Sequence, residues 1–188
     1  VPDPATTDWP MGDRLPETPL PVGVDEEALG AALDLALDDA RWPAPPCTRA
    51  LVVCHGGRLV AERYAPGFGQ ETRQICWSAG KSITAALIGI LVGQGAFAVD
   101  DPAPIAEWHG PGDPRAAITI RHLLNMSSGL RFARGEDEPE VRWTDRDDHI
   151  RIYTAPIDVF RHAIDRPLKD APNTVWRYRN CDPLGLGL

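Results

Sequence analysis

At 188 residues the chain is long enough to bury a core, and an apolar fraction of 43% places it among globular sequences. Its formal net charge of −8 comes without any cluster of basic residues, which argues against nucleic acid or an anionic membrane as the main partner. The four cysteines form no C-x-x-C pair and no tight spacing with the five histidines. A structural zinc site and a disulfide framework are therefore not expected, and four partly buried thiols are the simpler reading.

The 188 residues include no signal peptide but begin at Val1 in place of Met, which leaves a lost leader, anchor or methionine open. Residues 1–24 carry Pro2, Pro4, Pro10, Pro16, Pro19 and Pro21, a density that suits an extended linker ahead of a domain over 25–188. Asp25 is a helix cap for a segment whose apolar residues Leu29, Leu33, Ala36, Leu37 and Ala40 follow helical spacing, with Pro43, Pro45 and Pro46 to end it. In "RALVVCHGGRLVAERY" two β-rich runs flank Gly56-Gly57, the strongest hairpin signal in the chain. Arg73 to Trp77 reads as short and extended. Ser78 then opens a helix to about Val92, with Gly93 and Gly95 as stops. Only Thr84 is polar between Ile83 and Val92, so the helix is expected to be central and buried on every side. This run, the longest apolar one, is too short to span a bilayer.

Beyond Pro102, "TIRHLLNMSSGL" predicts a short helix capped by Thr119 and closed by Gly129, with His122 as a structural hydrogen bonder. The charged stretch from Gly135 to Asp148 reads as a solvated loop. Asp145, Asp147 and Asp148 lack the ligand spacing, turn glycine and terminal glutamate of a calcium loop. Pro156 is placed to start a helix through "PIDVFRHAI", and "APNTVWRYRNCDP" returns to loop character.

The chemistry concentrates in "ICWSAGKSITAALIGILVGQG". Gly80-Lys81-Ser82 ends like a phosphate-binding loop, but five positions before Gly80 stands Ile75, where that loop needs a glycine to wrap backbone amides around phosphate. The G-x-S-x-G elbow fails as well, because Cys76 precedes Ser78 by two where that tight turn wants a small residue. Ser78 and Lys81 at i and i+3 share one helix face. A serine in the first turn also aims its own backbone N–H at the oxygen of an attacked carbonyl. A lysine held on an apolar helix gives up its proton more readily than one in water, and arginine cannot take its place as a base. Of 19 basic residues only Lys81 and Lys169 are lysines, so its presence here carries information. The plain alternative is a capping serine followed by a surface lysine. Tyr178-Arg179-Asn180 supplies a second element; taken alone, Tyr178 would read as a core or rim aromatic.

At these residues the chain resembles the serine β-lactamase and penicillin-binding-protein superfamily, and within it the class C β-lactamase-related serine hydrolases, which include esterases and the 6-aminohexanoate-dimer hydrolase. The matching text is "LVVCHGGRLVAERYAPG", "WSAGKSITAALIGILVGQG", "ITIRHLLNMSSGL" and "VWRYRN". The resemblance implies an α/β (α+β) fold of β-lactamase/transpeptidase type, an antiparallel sheet flanked by helices plus a helical subdomain. It implies Ser78 as a nucleophile forming an acyl-enzyme, the Lys81–Tyr178 pair as general base and acid, and Asn180 as the residue that binds substrate or orients Lys81. The substrate class is a small ester, amide or peptide-like molecule, with esters ahead of peptides and β-lactams, and no metal or organic cofactor is implied. It leans toward the periplasm or exterior, although cytoplasmic members exist. Oligomeric state is not legible. The other class of function is a non-catalytic homologue that binds such a ligand without turnover.

The sequence departs from the pattern at Gly80, where relatives often carry a bulkier residue, at Asn173, where they usually have glycine, and at Arg179, in place of a common serine. The third motif, Lys-Thr-Gly or His-x-Gly on a late strand, does not follow Asn180. The expectation is an N-terminal portion of a larger enzyme, lacking the C-terminal strands that complete the sheet. A lone hairpin leaves edge hydrogen bonds unpaired, so these 188 residues alone are expected to be weakly stable and to turn over little. A cooperative thermal transition together with hydrolysis by this chain is the result that contradicts this.

Overall fold

The structure is a computed structural model describing residues 3–14, 20–41, 47–136, 138–142, 144 and 146–187. The chain forms two compact units, residues 1–75 and 76–188.

In the first unit, helix α1 (Glu26–Leu37) starts where expected, with the Asp25 carboxylate accepting from the Ala28 N–H at 2.9 Å. It ends at Asp38, before the prolines, which lie outside the described residues. Strands β1 (Ala50–His55) and β2 (Arg58–Tyr64) pair antiparallel around Gly56-Gly57, both at positive φ, the conformation that a two-residue hairpin turn needs. The register slips once between Val53 and Cys54, the mark of a bulge. Within the proline-rich start, residues 3–14 fold into turns in place of the extended path expected: Arg14 donates to Asp8 at 2.6 Å, and the Trp9 N–H reaches the Arg14 carbonyl at 2.7 Å.

The second unit is built on α2 (Gly80–Gly93), α3 (Ile120–Leu124), α4 (Asp148–Thr154), α5 (Val159–Ile164) and α6 (Cys181–Gly185), joined by loops and short 3₁₀ turns. Its core gathers Ile105, Trp108, Ile118, Leu123, Leu130, Phe132, Ile164 and Cys181. Trp108 is fully buried, and its indole N–H is satisfied by the Ile164 carbonyl at 2.8 Å. Helix α3 is capped as its sequence dictates: Thr119 accepts from the His122 N–H, and the His122 ring returns the bond to the Thr119 N–H at 3.1 Å. Gly129 has φ +79, and a Cβ there would lie 2.1 Å from the Asp170 carbonyl oxygen, so only glycine fits.

Four expectations are corrected. Helix α2 buries only Ile88, while Ile83, Leu87, Ile90 and Leu91 stay exposed; an all-apolar sequence records a demand for burial without supplying the layer that meets it. Helix α5 begins at the cap Asp158, whose carboxylate accepts from the N–H groups of Phe160 and Arg161. This cap satisfies two orphan donors, which Pro156 cannot do. The charged stretch is not wholly solvated, since Asp147 and Asp148 are buried there and serve as hydrogen-bond acceptors; Asp145 lies outside the described residues. Of the cysteines, only Cys181 is buried, and burial pushes its thiol well above the ordinary value.

Candidate active site

The elements that carry the chemistry all belong to the second unit. Trp77–Ala79 form a 3₁₀ turn that runs directly into α2, so Ser78 sits one turn ahead of the helix proper and Lys81 on its first turn. The spacing still brings the two side chains together: Lys81 Nζ lies 3.0 Å from Ser78 Oγ. Trp77, immediately before the serine, takes φ +41, a backbone state uncommon for a bulky residue. Such outliers persist only where their surroundings over-determine them.

The partner for Lys81 comes from the far end of the chain. Its Nζ donates to Asn180 Oδ1 at 2.7 Å, and lies 4.9 Å from the centre of the Tyr178 ring, within cation–π range. All four residues proposed from sequence, Ser78, Lys81, Tyr178 and Asn180, therefore meet in one place. Hydrogen bonding to Ser78, followed by the bond and charge of Lys81, holds the Tyr178 hydroxyl below the ordinary tyrosine value, against the opposing effect of burial. Lys81 is half-buried. Its setting is defined by these hydrogen-bond partners and not by the enclosing apolar helix expected from the sequence.

Several contacts fix the loop that presents Tyr178 and Asn180. Arg179, the departure from the expected small residue, points away from the site into the interior, where it is 3% exposed and donates to the Leu130 carbonyl. Arg134 donates to the Tyr178 carbonyl at 2.7 Å. Asn173 takes φ +63, the left-handed state that an asparagine tolerates, and its N–H meets the Ser127 carbonyl at 2.8 Å. Behind Asn180, the buried Asp182 carboxylate accepts from the Ser128 hydroxyl at 2.6 Å. Burial is the main cause that raises the Asp182 carboxyl, with Ser128 and Arg179 working against it. Leaving such a group without its donor costs about 1–3 kcal/mol, so the Ser127–Ser128 segment and the Tyr-x-Asn loop are locked to one another.

Two contributors were not legible from sequence. Arg134 is one. The other is His149, one residue beyond the stretch read as a solvated loop and given no role there, which lies 2.9 Å from Asn180 Nδ2 through its Nδ1. A cavity of about 300 Å³ opens beside Lys81 and Asn180, with Trp77, Ile152, Tyr153 and Leu184 among its walls. Gly80 lines it too, and a Cβ there would meet nothing within 4 Å, so the missing side chain keeps the cavity open. Among the described residues no group of three or more His, Cys, Asp or Glu side chains is placed to hold a metal ion, and no helix is long and apolar enough to cross a membrane.

A serine one turn ahead of a helix, a lysine three residues on and a Tyr-x-Asn loop against the lysine accompany a fold of the β-lactamase class. Residues 48–187 match the Beta-lactamase family, and the chain belongs to it. It is 30% identical over 137 residues to the 6-aminohexanoate-dimer hydrolase of Paenarthrobacter ureafaciens, a match covering 71% of this chain and 34% of that protein. Solved structures share the fold. A candidate β-lactamase of Bacteroides dorei DSM 17855 superposes with a TM-score of 0.59 at 22% identity, over 87% of this chain and 45% of that one. A candidate 6-aminohexanoate-dimer hydrolase of Bacillus anthracis gives 0.55 at 20% identity, over 84% and 40%. The chain thus spans between about a third and a half of the length of these relatives.

Tyr178 is expected to ionise below the ordinary tyrosine value of 10.0. A pH titration of phenolate absorbance, wild type against Tyr178→Phe, isolates it. A Tyr178 that titrates at or above the ordinary value contradicts the contacts with Ser78 and Lys81.

Proposed function

We propose that this chain carries the acyl-transfer machinery of a serine hydrolase acting on an ester or amide. The observation that carries the reading is Lys81 Nζ held between Ser78 Oγ at 3.0 Å and Asn180 Oδ1 at 2.7 Å, with Tyr178 alongside. Donation from Lys81 to Asn180 holds Nζ beside the Ser78 hydroxyl, where the serine proton leaves. Ser78 Oγ attacks the substrate carbonyl as its proton passes to the Lys81–Tyr178 pair. The tetrahedral intermediate collapses, the Tyr178 hydroxyl returns a proton to the leaving group, and the acyl group remains on Ser78. Water, deprotonated by the same pair, then adds to the ester carbon and releases the acid and the free serine.

Esters stand first among the substrates. The cavity beside Lys81 is walled by Trp77, Ile152, Tyr153, Val159 and Leu184, with Lys81, Asn180 and Thr84 as its polar members. That lining suits an apolar acyl group better than a charged one. The Paenarthrobacter relative is named as a hydrolase of a 6-aminohexanoate dimer, and a dimer joining amine to carboxylate is an amide, which keeps amides within the class.

The test is intact-mass spectrometry after exposure of wild type and Ser78→Ala to a fluorophosphonate and, separately, to a penicillin. A single adduct lost in Ser78→Ala is expected, with the fluorophosphonate reacting faster. No adduct on the folded full-length protein contradicts the hydrolase reading and favours a ligand-binding homologue without turnover.

A further inference from the structure

The hydrogen bonds around Asn180 form one consistent assignment of atoms. Lys81 Nζ donates to the Asn180 carboxamide oxygen at 2.7 Å, a bond open to the charged and the neutral amine alike. The amide nitrogen then faces His149 Nδ1 at 2.9 Å. An NH₂ group only donates, so Nδ1 must be the unprotonated nitrogen and the imidazole proton must sit on Nε2.

His149 is well placed to hold that role. It is the second residue of α4, whose start is pinned on both sides. The Asp147 carboxylate accepts from the His149 N–H at 3.0 Å, and the buried Asp148 carboxylate accepts from the Ala133 N–H at 2.7 Å and meets the His162 ring at 2.6 Å. Tyr153, four residues on and on the same helix face, packs edge-on against the His149 ring at 5.6 Å and against Trp77 at 6.0 Å. The ring is thus tied to the turn that bears Ser78 as well as to Asn180.

We propose that His149 is a positioning residue for the reaction: its neutral, Nε2-protonated imidazole accepts from Asn180 and thereby fixes the amide oxygen on Lys81 and Nζ beside Ser78. This rests on the hydrolase reading for its catalytic meaning, though not for its geometry. Protonation makes Nδ1 a donor. It then repels the Asn180 NH₂ and favours a rotated amide, which turns its nitrogen toward Lys81 and breaks the arrangement. His149 is therefore also an acid-side switch on Ser78.

The charged groups around the ring bear on where that switch operates. Burial is the largest influence and pushes His149 below the ordinary value of 6.5, with Arg134 and Lys81 adding to it and Asp147 and Glu136 opposing. Arg142 lines the same small cavity, and Tyr153 stands edge-on. A lowered histidine favours the neutral acceptor at neutral pH. The sign follows: the arrangement is intact above the ordinary value and is lost as pH falls through the lower value of the folded state.

Two readouts on the full-length protein test the proposal. The first is the His149 tautomer from imidazole ¹⁵N–¹H correlation NMR at neutral pH, which needs no reactivity at Ser78. The Nε2–H form is expected, and the Nδ1–H form overturns the proposal. The second is the pH dependence of Ser78 labelling by a fluorophosphonate in wild type, His149→Gln and His149→Phe. His149→Gln keeps an acceptor that does not titrate, and is expected to label at close to the wild-type rate at neutral pH while losing the acid-side fall assigned to His149. His149→Phe keeps the ring packing without the acceptor and is expected to be slower by roughly tenfold across the range, the worth of one hydrogen bond. Wild-type rate and pH profile in His149→Phe overturn the proposal. Absence of Ser78 labelling in wild type counts instead against the hydrolase reading, while the tautomer still decides whether His149 holds Asn180.

Discussion

The site depends on one hydrogen bond, from Lys81 Nζ to Asn180 Oδ1, made across 99 residues of sequence. A lysine three residues after a serine shares its helix face, yet that alone leaves the ammonium free to turn to solvent. Asn180 removes this freedom by taking one N–H, which leaves Lys81 Nζ 3.0 Å from Ser78 Oγ with Tyr178 alongside. Much of the second unit serves to keep Asn180 where it is. Asp182 ties the segment behind it to Ser128, Arg134 and Arg179 secure the backbone of the Tyr-x-Asn loop, and His149 holds the far side of the amide.

What the sequence made legible was whatever rests on local chemistry. Gly56-Gly57 announces a hairpin because only a small class of residues accepts two successive positive φ values. Asp25 and Thr119 announce caps because their oxygens reach backbone N–H groups two or three residues on. Ser78 and Lys81 stand at a fixed helical offset, and Tyr178 and Asn180 at an offset specific enough, in company with them, to be set in the same site. The resemblance carried by the matching motifs implied the β-lactamase-like fold, which is shared with the solved structures.

What escaped was whatever depends on distant partners. His149 lies in a stretch of alternating acids and bases, and nothing local separates a histidine that accepts from Asn180 from one that faces water. Asp147 and Asp148 read as solvated for the same reason, although burial makes them acceptors that fix the start of α4. Arg179 looked like an awkward substitution beside the site, and the structure turns its side chain into the interior. The apolar face of α2 was read as wholly buried, but Ile83, Leu87 and Ile90 are exposed: periodicity reports which surface seeks cover, and cover itself is a tertiary property.

The central claim is that Lys81 acts as a proton acceptor for Ser78 and not only as a structural cation. The measurement that tests it most directly is the rate of Ser78 acylation by a fluorophosphonate in wild type and Lys81→Arg full-length protein, with correct folding checked by circular dichroism. Arginine keeps the charge and the donors to Asn180 but cannot take a proton. The account predicts a fall of about 100- to 10,000-fold, the range for loss of a positioned general base. Acylation of Lys81→Arg at the wild-type rate would contradict it.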